Sequence, residues 1–207
     1  MSDPGDIAAI VLAAGSSHRF GSDKLLHPLT RQGVTLPLAA HSLLPWLNTF
    51  EHTTVVVKRG SEAFCSAIST ALASALGTRK SAAIHWLVCD CAESGMAASL
   101  ACGVHANHQA AGWLIGLADM PALPSAAIAA VRDSLVDGAN LAATSYAGQR
   151  GHPVGFSPIY YDELLALQGD SGARSLVERD RANLVLTKIT SNGIHADVDM
   201  PSDLPHL

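Results

Sequence analysis

An α/β sandwich with a mostly parallel sheet is the fold class that this sequence predicts, on three observations. Short apolar runs alternate with segments of helical periodicity along the chain, and each crossover between parallel strands must cover a face of the sheet. The residues with unusual chemistry follow those apolar runs directly, and such sheets bind ligands beyond the carboxyl ends of their strands. Finally, 207 residues with 48% hydrophobic and 15% charged content supply one sizeable core, so residues 1–207 are expected to form a single domain.

The first element is Ile7 to Ala14, eight consecutive apolar residues between Asp6 and Gly15. That length suits a central strand buried on both faces and is short for a helix. Gly15, Ser16, Ser17 and Gly21 then allow a loop whose backbone N–H groups wrap an anion, with Arg19 and Lys24 supplying charge. The spacing excludes a Walker loop, since Gly15 and Gly21 enclose five residues and Lys24 comes three later, and no G-x-G-x-x-G is present.

Leu36, Ala39, Ala40, Leu43, Leu44 and Leu47 have helical spacing, with Pro45 a kink or an early end. Thr53 to Val57 is a β-branched strand, and Ser61 opens an alanine-rich helix that Gly77 stops after Leu76. Ile84 to Val88 is the third strand, followed by the loop CDCAESG and a helix with Met96, Leu100 and Val104 on one face. Trp113 to Ala118 is the fourth strand, and Pro124 and Ser125 open a helix buried through Ile128, Val131 and Leu135. Asn140 to Ser145 is the fifth, after which Gly148 to Phe156 is expected to turn back on itself through two glycines. A helix at Pro158 to Leu167, the loop GDSG, a short helix from Ala173 and a strand Asn183 to Ile189 complete the body. The loops after Ala14, Val88, Ala118 and Ser145 should therefore share one rim.

The net charge of −5 gives no general basic field, which argues against nonspecific nucleic-acid binding and leaves an anionic substrate to a local cluster of cations. No run approaches the roughly 18 apolar residues of a membrane span. The four cysteines lack C-x-x-C spacing and the N-terminus lacks a leader pattern, so a cytoplasmic protein with reduced thiols is expected.

Asp119, in Asp-Met-Pro just past an apolar strand, fits either a magnesium ligand or a turn and capping residue. Asp197 and Asp199 repeat that arrangement near the C-terminus, with Asp203 as a cap for the last turn; Asp119 with Asp199 would suffice for magnesium, which keeps waters and substrate phosphates as its other ligands. The loop Glu93 to Ser99 leads into a helix N-terminus able to hold ribose or base edges, or one capped by Ser94. His152, between Gly151 and Pro153, is a hydrogen-bond donor to substrate or a structural turn histidine. Cys102, His105 and His108 have zinc-like spacing but no useful fourth ligand, and no G-x-S-x-G elbow exists for a hydrolase.

LAAGSSHRFGSDKLL, SGMAASLACGV, WLIGLADMP, GHPVGF, GDSGARSLV and DVDMPSDL, taken in that order, resemble the molybdenum cofactor cytidylyltransferases and their relatives among the nucleotidyltransferases. The resemblance implies a Rossmann-like three-layer sandwich with a mixed sheet, and transfer of CMP from CTP to the phosphate of molybdenum-molybdopterin with release of pyrophosphate. It implies Arg19, Lys24 and Asp119 as catalytic, with Arg19 and Lys24 on the triphosphate. Asp119 and Asp199 would hold Mg2+; Leu12, Ala13, Ala14, Gly15, Gly95, Met96 and Ser99 the nucleotide; His152, Gly172 and Arg174 the acceptor. A recipient molybdoenzyme or its chaperone is the implied protein partner. Leu-Ala-Ala-Gly resembles the cytidylyl branch, where the guanylyl branch more often has Leu-Ala-Gly-Gly, and Met200 stands where the family usually has Thr. GTP, a sugar or alcohol phosphate acceptor, and a non-enzymatic nucleotide or cofactor carrier are the alternatives.

Overall fold

The computed structural model describes residues 6–15, 20 and 23–206. Its centre is strand β1 (Ile7–Leu12), whose six residues are all buried. Alternation sends Ile7, Ala9 and Val11 to one hydrophobic cluster and Ala8, Ile10 and Leu12 to the other, which makes β1 the shared wall of two cores. Ala13 and Ala14 lie beyond the strand, although the Ala13 N–H still donates to Val56 O at 2.8 Å.

Next come a 3-10 turn (Lys24–Leu26), a small antiparallel pair of β2 (Pro28–Arg31) and β3 (Val34–Pro37), and helix α1 (Leu38–Thr49). The sequence reading missed this hairpin. It turns through Gln32 and Gly33, both at positive φ, the conformation of a two-residue hairpin turn. It also takes Leu36 out of the helix, while α1 continues through Pro45 to Thr49 instead of ending there.

Strand β4 (Thr53–Lys58), helices α2 (Glu62–Leu76) and α3 (Thr78–Ser81), strand β5 (Ile84–Cys89), helix α4 (Met96–Ala106) and strand β6 (Gly112–Leu117) follow. Helix α5 (Ser125–Val136) then leads to β7 (Leu141–Tyr146), β8 (Gln149–Phe156), α6 (Tyr161–Leu165), α7 (Arg174–Arg179) and β9 (Leu184–Lys188). The predicted helix at 158–167 is divided into a 3-10 turn, Pro158–Tyr160, and α6.

The large sheet has seven strands in the order β5-β4-β1-β6-β8-β7-β9, with β8 antiparallel to both neighbours and the other pairings parallel. Residues of α1, α2 and α5 join the cluster on one face, and those of α4, α6 and α7 the cluster on the other. The result is a mixed, mostly parallel sheet flanked by helices, as predicted.

Within the segment expected to turn back on itself, Gln149–Phe156 is a strand. The reversal occurs at Ala147 and Gly148, and Gly151 and Gly155 serve close packing instead. A Cβ at Gly151 would lie 2.6 Å from Ile194 Cγ1, and one at Gly155 2.9 Å from Val131 Cγ1. Among the described residues, no helix is long and apolar enough to cross a membrane.

Candidate functional site

Strands β1, β4, β5, β6 and β7 run in one direction, so their carboxyl ends form a common rim. A cavity of about 800 Å³ opens there, lined by Leu12, Ala13, Ala14 and Gly15 after β1, Lys58 at the end of β4, and Leu117 and Asp119 after β6. Ala92, Glu93, Gly95, Met96 and Ser99 form the wall at the start of α4, and Lys24, Leu25, Asp170 and Asp199 complete it.

The polar centre is Lys24. Its Nζ donates to Asp119 Oδ2 at 2.8 Å and lies 3.6 Å from Asp199 Oδ1. Three distant segments meet to make this contact, and each is fastened by backbone or side-chain hydrogen bonds. The Ala118 N–H donates to Leu12 O at 3.0 Å, fixing the loop that carries Asp119 against the end of β1. The Val198 N–H donates to Asp119 O at 3.0 Å, drawing Asp199 in from the C-terminal segment. Asp203 Oδ2 accepts from the Asp199 and Met200 N–H groups at 2.8 and 2.7 Å, the capping role expected of it. The hairpin that follows Lys24 is tied to the loop after Asp119, where the Arg31 guanidinium donates to Pro121 O.

Asp119 Oδ1 is buried and has no hydrogen-bond partner. An ionised carboxylate oxygen left so is costly unless a ligand supplies the missing contact, and a hard cation is one that would. Among the described residues no three His, Cys, Asp or Glu side chains converge as a metal site. A divalent cation held by Asp119 and Asp199 would take its other ligands from substrate and water.

The α4 end of the cavity joins two loops that are far apart in sequence. Gly95 has φ +112°, and a Cβ there would sit 2.5 Å from Gly169 O, so this position is closed to other residues on both counts. The Ala97 N–H donates to Gly169 O at 3.0 Å, which docks the GDSG loop on the first turn of α4. Gly172 follows at φ +52°, where a Cβ would lie 3.1 Å from Met96 Sδ. Met96 is thus exposed at the mouth of the site, while Leu100 and Val104 face the core as expected. Ser99 is buried in the wall.

His152, Gly172 and Arg174 are not among the lining residues. Arg174 extends along its own helix, its Nε 2.8 Å from Glu178 Oε1. His152 sits where the β7–β8 register shifts between Ala143 and Thr144, and Thr144 Oγ1 donates to His152 O at 2.6 Å. Its Nδ1 is buried without a partner. Burial pushes its pKa down to about 4, helped by the charges of Arg150 and His195 and opposed by Asp197. Arg19 lies outside the described residues, as do Ser16, Ser17 and Gly21 of the expected anion loop.

Lys58, Glu93 and Asp170 line the cavity but were not singled out from sequence. Strand order alone brings Lys58 to the rim. The cysteines and histidines with zinc-like spacing have other occupations. His105 Nδ1 is 3.0 Å from Tyr161 Oη, His108 Nδ1 is 3.1 Å from His105 O, and burial pushes the Cys102 thiol pKa up.

An open α/β sheet with a charged cavity beyond its carboxyl edge defines a class of small-molecule enzymes whose chemistry is carried by loops on that rim. Within that class the chain belongs to the family described as the MobA-like NTP transferase domain, which it matches over residues 9–184, and it is a nucleotidyltransferase by family. It is 30% identical over 205 residues to the purine catabolism protein PucB of Bacillus subtilis, covering 95% of this chain and 93% of PucB. It is similar in fold to the crystal structure of Rv0371c from Mycobacterium tuberculosis H37Rv, with a TM-score of 0.77, 25% identity and 98% and 97% of the two chains covered. The manganese complex of Rv0371c superposes at a TM-score of 0.73 with 24% identity, over 98% of this chain and 97% of that one.

Proposed function

We propose that this protein transfers CMP from CTP to the phosphate of molybdenum-molybdopterin, releasing pyrophosphate. The observation that carries the reading is the Lys24 ammonium held between Asp119 and Asp199 at the rim. One cation and two carboxylates, one with an unsatisfied buried oxygen, make a place for a triphosphate and its metal. The six sequence blocks and the MobA-like family support the molybdenum cofactor as acceptor.

The described lining sets Glu93, Asp119, Asp170 and Asp199 against Lys24 and Lys58. A triphosphate would be repelled by that lining without added cations, so a divalent ion is required, Mg2+ being our assignment; Rv0371c with manganese supports a divalent site in this fold. When bound, the ion offsets the charge of the phosphate oxygens. The Lys24 ammonium, a compact point charge, is assigned to the phosphate oxygens. An oxygen of the acceptor phosphate forms the new bond to the α-phosphorus, and the bond from that phosphorus to the β-bridging oxygen breaks. The nucleophile is already ionised and needs no general base, which leaves positioning and charge stabilisation to the protein. Arg19 is assigned to the same triphosphate, and Leu12 to Gly15 with Gly95, Met96 and Ser99 to the nucleoside. His152, Gly172 and Arg174 are assigned to the acceptor, and a molybdoenzyme or its chaperone to the product.

The choice of CTP rests on Ala14, which is buried in the wall and whose methyl takes room that glycine would leave for a purine. Pyrophosphate release measured for each NTP, with and without molybdenum cofactor, tests the whole reading. CTP should exceed GTP in direct competition, and Ala14→Gly should narrow the gap. Greater turnover of GTP by the native chain would overturn the base assignment, and ligand binding without pyrophosphate release would make the protein a carrier.

A further inference from the structure

Arg150, on β8, is half-buried, yet its side chain makes no hydrogen bond or ion pair with any other described residue. A guanidinium withdrawn from water without a partner is an expensive arrangement that an anionic ligand would relieve. Its surroundings collect further unused donors. Two residues along the strand, His152 has a buried Nδ1 without a partner, and the neighbouring His195 has a buried Nε2 in the same condition. The turn Asn192–His195 is brought here because Gly151 lets Ile194 pack directly on β8.

Arg174 adds a second guanidinium close enough to repel the first. Burial and then Arg174 lower the Arg150 pKa, and Glu178, the carboxylate that opposes them, is already bonded by Arg174. Two guanidinium groups and two imidazoles with unpartnered ring nitrogens suit a phosphate monoester, whose oxygens accept from a planar fork and from ring N–H groups together.

Two links tie this place to the cavity. Asp197 acts electrostatically on both His152 and the Asp119–Asp199 pair. The loop that carries Asp170 in the cavity wall runs through Gly172 directly into Arg174. Arg150 is not among the residues that line the cavity, and Arg174, whose charge acts on it, directly follows the GDSG loop.

We propose that Arg150 grips the phosphate of the acceptor and orients it toward the nucleotide, a proposal that rests on the nucleotide-transfer reading above. The two sources of phosphate, acceptor and CTP, are separated by labelling the native protein with phenylglyoxal and mapping Arg150 by peptide mass spectrometry. Inorganic phosphate and molybdenum cofactor should each protect Arg150, whereas CTP with magnesium should not. Protection by CTP alone, or none by phosphate, would overturn the proposal. In steady-state assays Arg150→Ala should raise the KM for the acceptor about tenfold or more, with the KM for CTP within about twofold, and Arg150→Lys should fall between. An unchanged acceptor KM would overturn it as well. If the native protein turns over no NTP with molybdenum cofactor, the transfer reading fails, and phosphate protection of Arg150 still decides whether the anion site exists.

Discussion

Lys24 has its ammonium within reach of two carboxylates that are otherwise a repulsive pair, so replacing it has two costs. The triphosphate loses a cation, and Asp119 and Asp199 face it unscreened. Lys24→Ala should lower kcat/KM for CTP by at least about a hundredfold, read as pyrophosphate release at saturating metal; near-normal turnover would remove Lys24 from the mechanism. His152 makes a prediction of opposite character. Its folded pKa is about 4, below the ordinary value of 6.5, so the unfolded chain takes up the proton first as pH falls. Its contribution to stability is present in full above about pH 6.5 and is lost on acidification toward pH 4. Imidazole NMR titration should find His152 neutral at pH 5, and the melting temperature of His152→Gln should fall less between pH 7 and 5 than that of the native protein. Lys24, Asp119 and Asp199 were legible in the sequence because a carboxylate just after an apolar run, or a cation in a glycine-rich loop, needs a reason. Lys58, Asp170 and Arg150 look like ordinary surface charges in one dimension, and only strand order and loop docking give them neighbours.

At the scale of elements, the strands were readable where burial on both faces leaves continuous apolar runs, as in β1, β4 and β6. What sequence patterning missed were features decided by contact between elements. Gly151 and Gly155 look like turn residues until Ile194, Val131 and Leu135 are seen against them. The β2–β3 pair has few buried residues to announce it, Leu29 and Leu36 among them. Gly116 in β6 belongs to the same class: a Cβ there would meet Trp46 Cζ2 at 2.0 Å, and Trp46 is fully buried in α1. Gly116→Ala should therefore push α1 off the sheet at a cost of about 1–3 kcal/mol, measured by denaturant unfolding, even though alanine is the better strand residue in isolation. Gly116→Ala combined with Trp46→Phe, which removes the ring atoms in conflict, should recover part of the loss.

Across the whole molecule, metal and nucleotide should act together on stability. With Asp119 Oδ1 unsatisfied and the described lining carrying more carboxylates than ammonium groups, CTP alone should be a poor ligand and CTP with magnesium or manganese a good one. At about a hundredfold excess over its Kd the complex should stabilise the fold by about 2.7 kcal/mol, raising the melting temperature by several degrees in thermal-shift assays. Chelation of the metal should abolish most of that shift, and an equal shift in a chelator would argue against a metal-dependent site. The Lys24–Asp119 contact spans 95 residues of sequence, and Asp199 reaches it from a segment held by the Val198 N–H on Asp119 O. Severing the connection between β9 and Val198 would leave all seven strands in place and the cavity with Asp119 but without Asp199. Loss of that one connection should weaken metal-dependent nucleotide binding while the sheet persists, so a nick there would separate folding from binding.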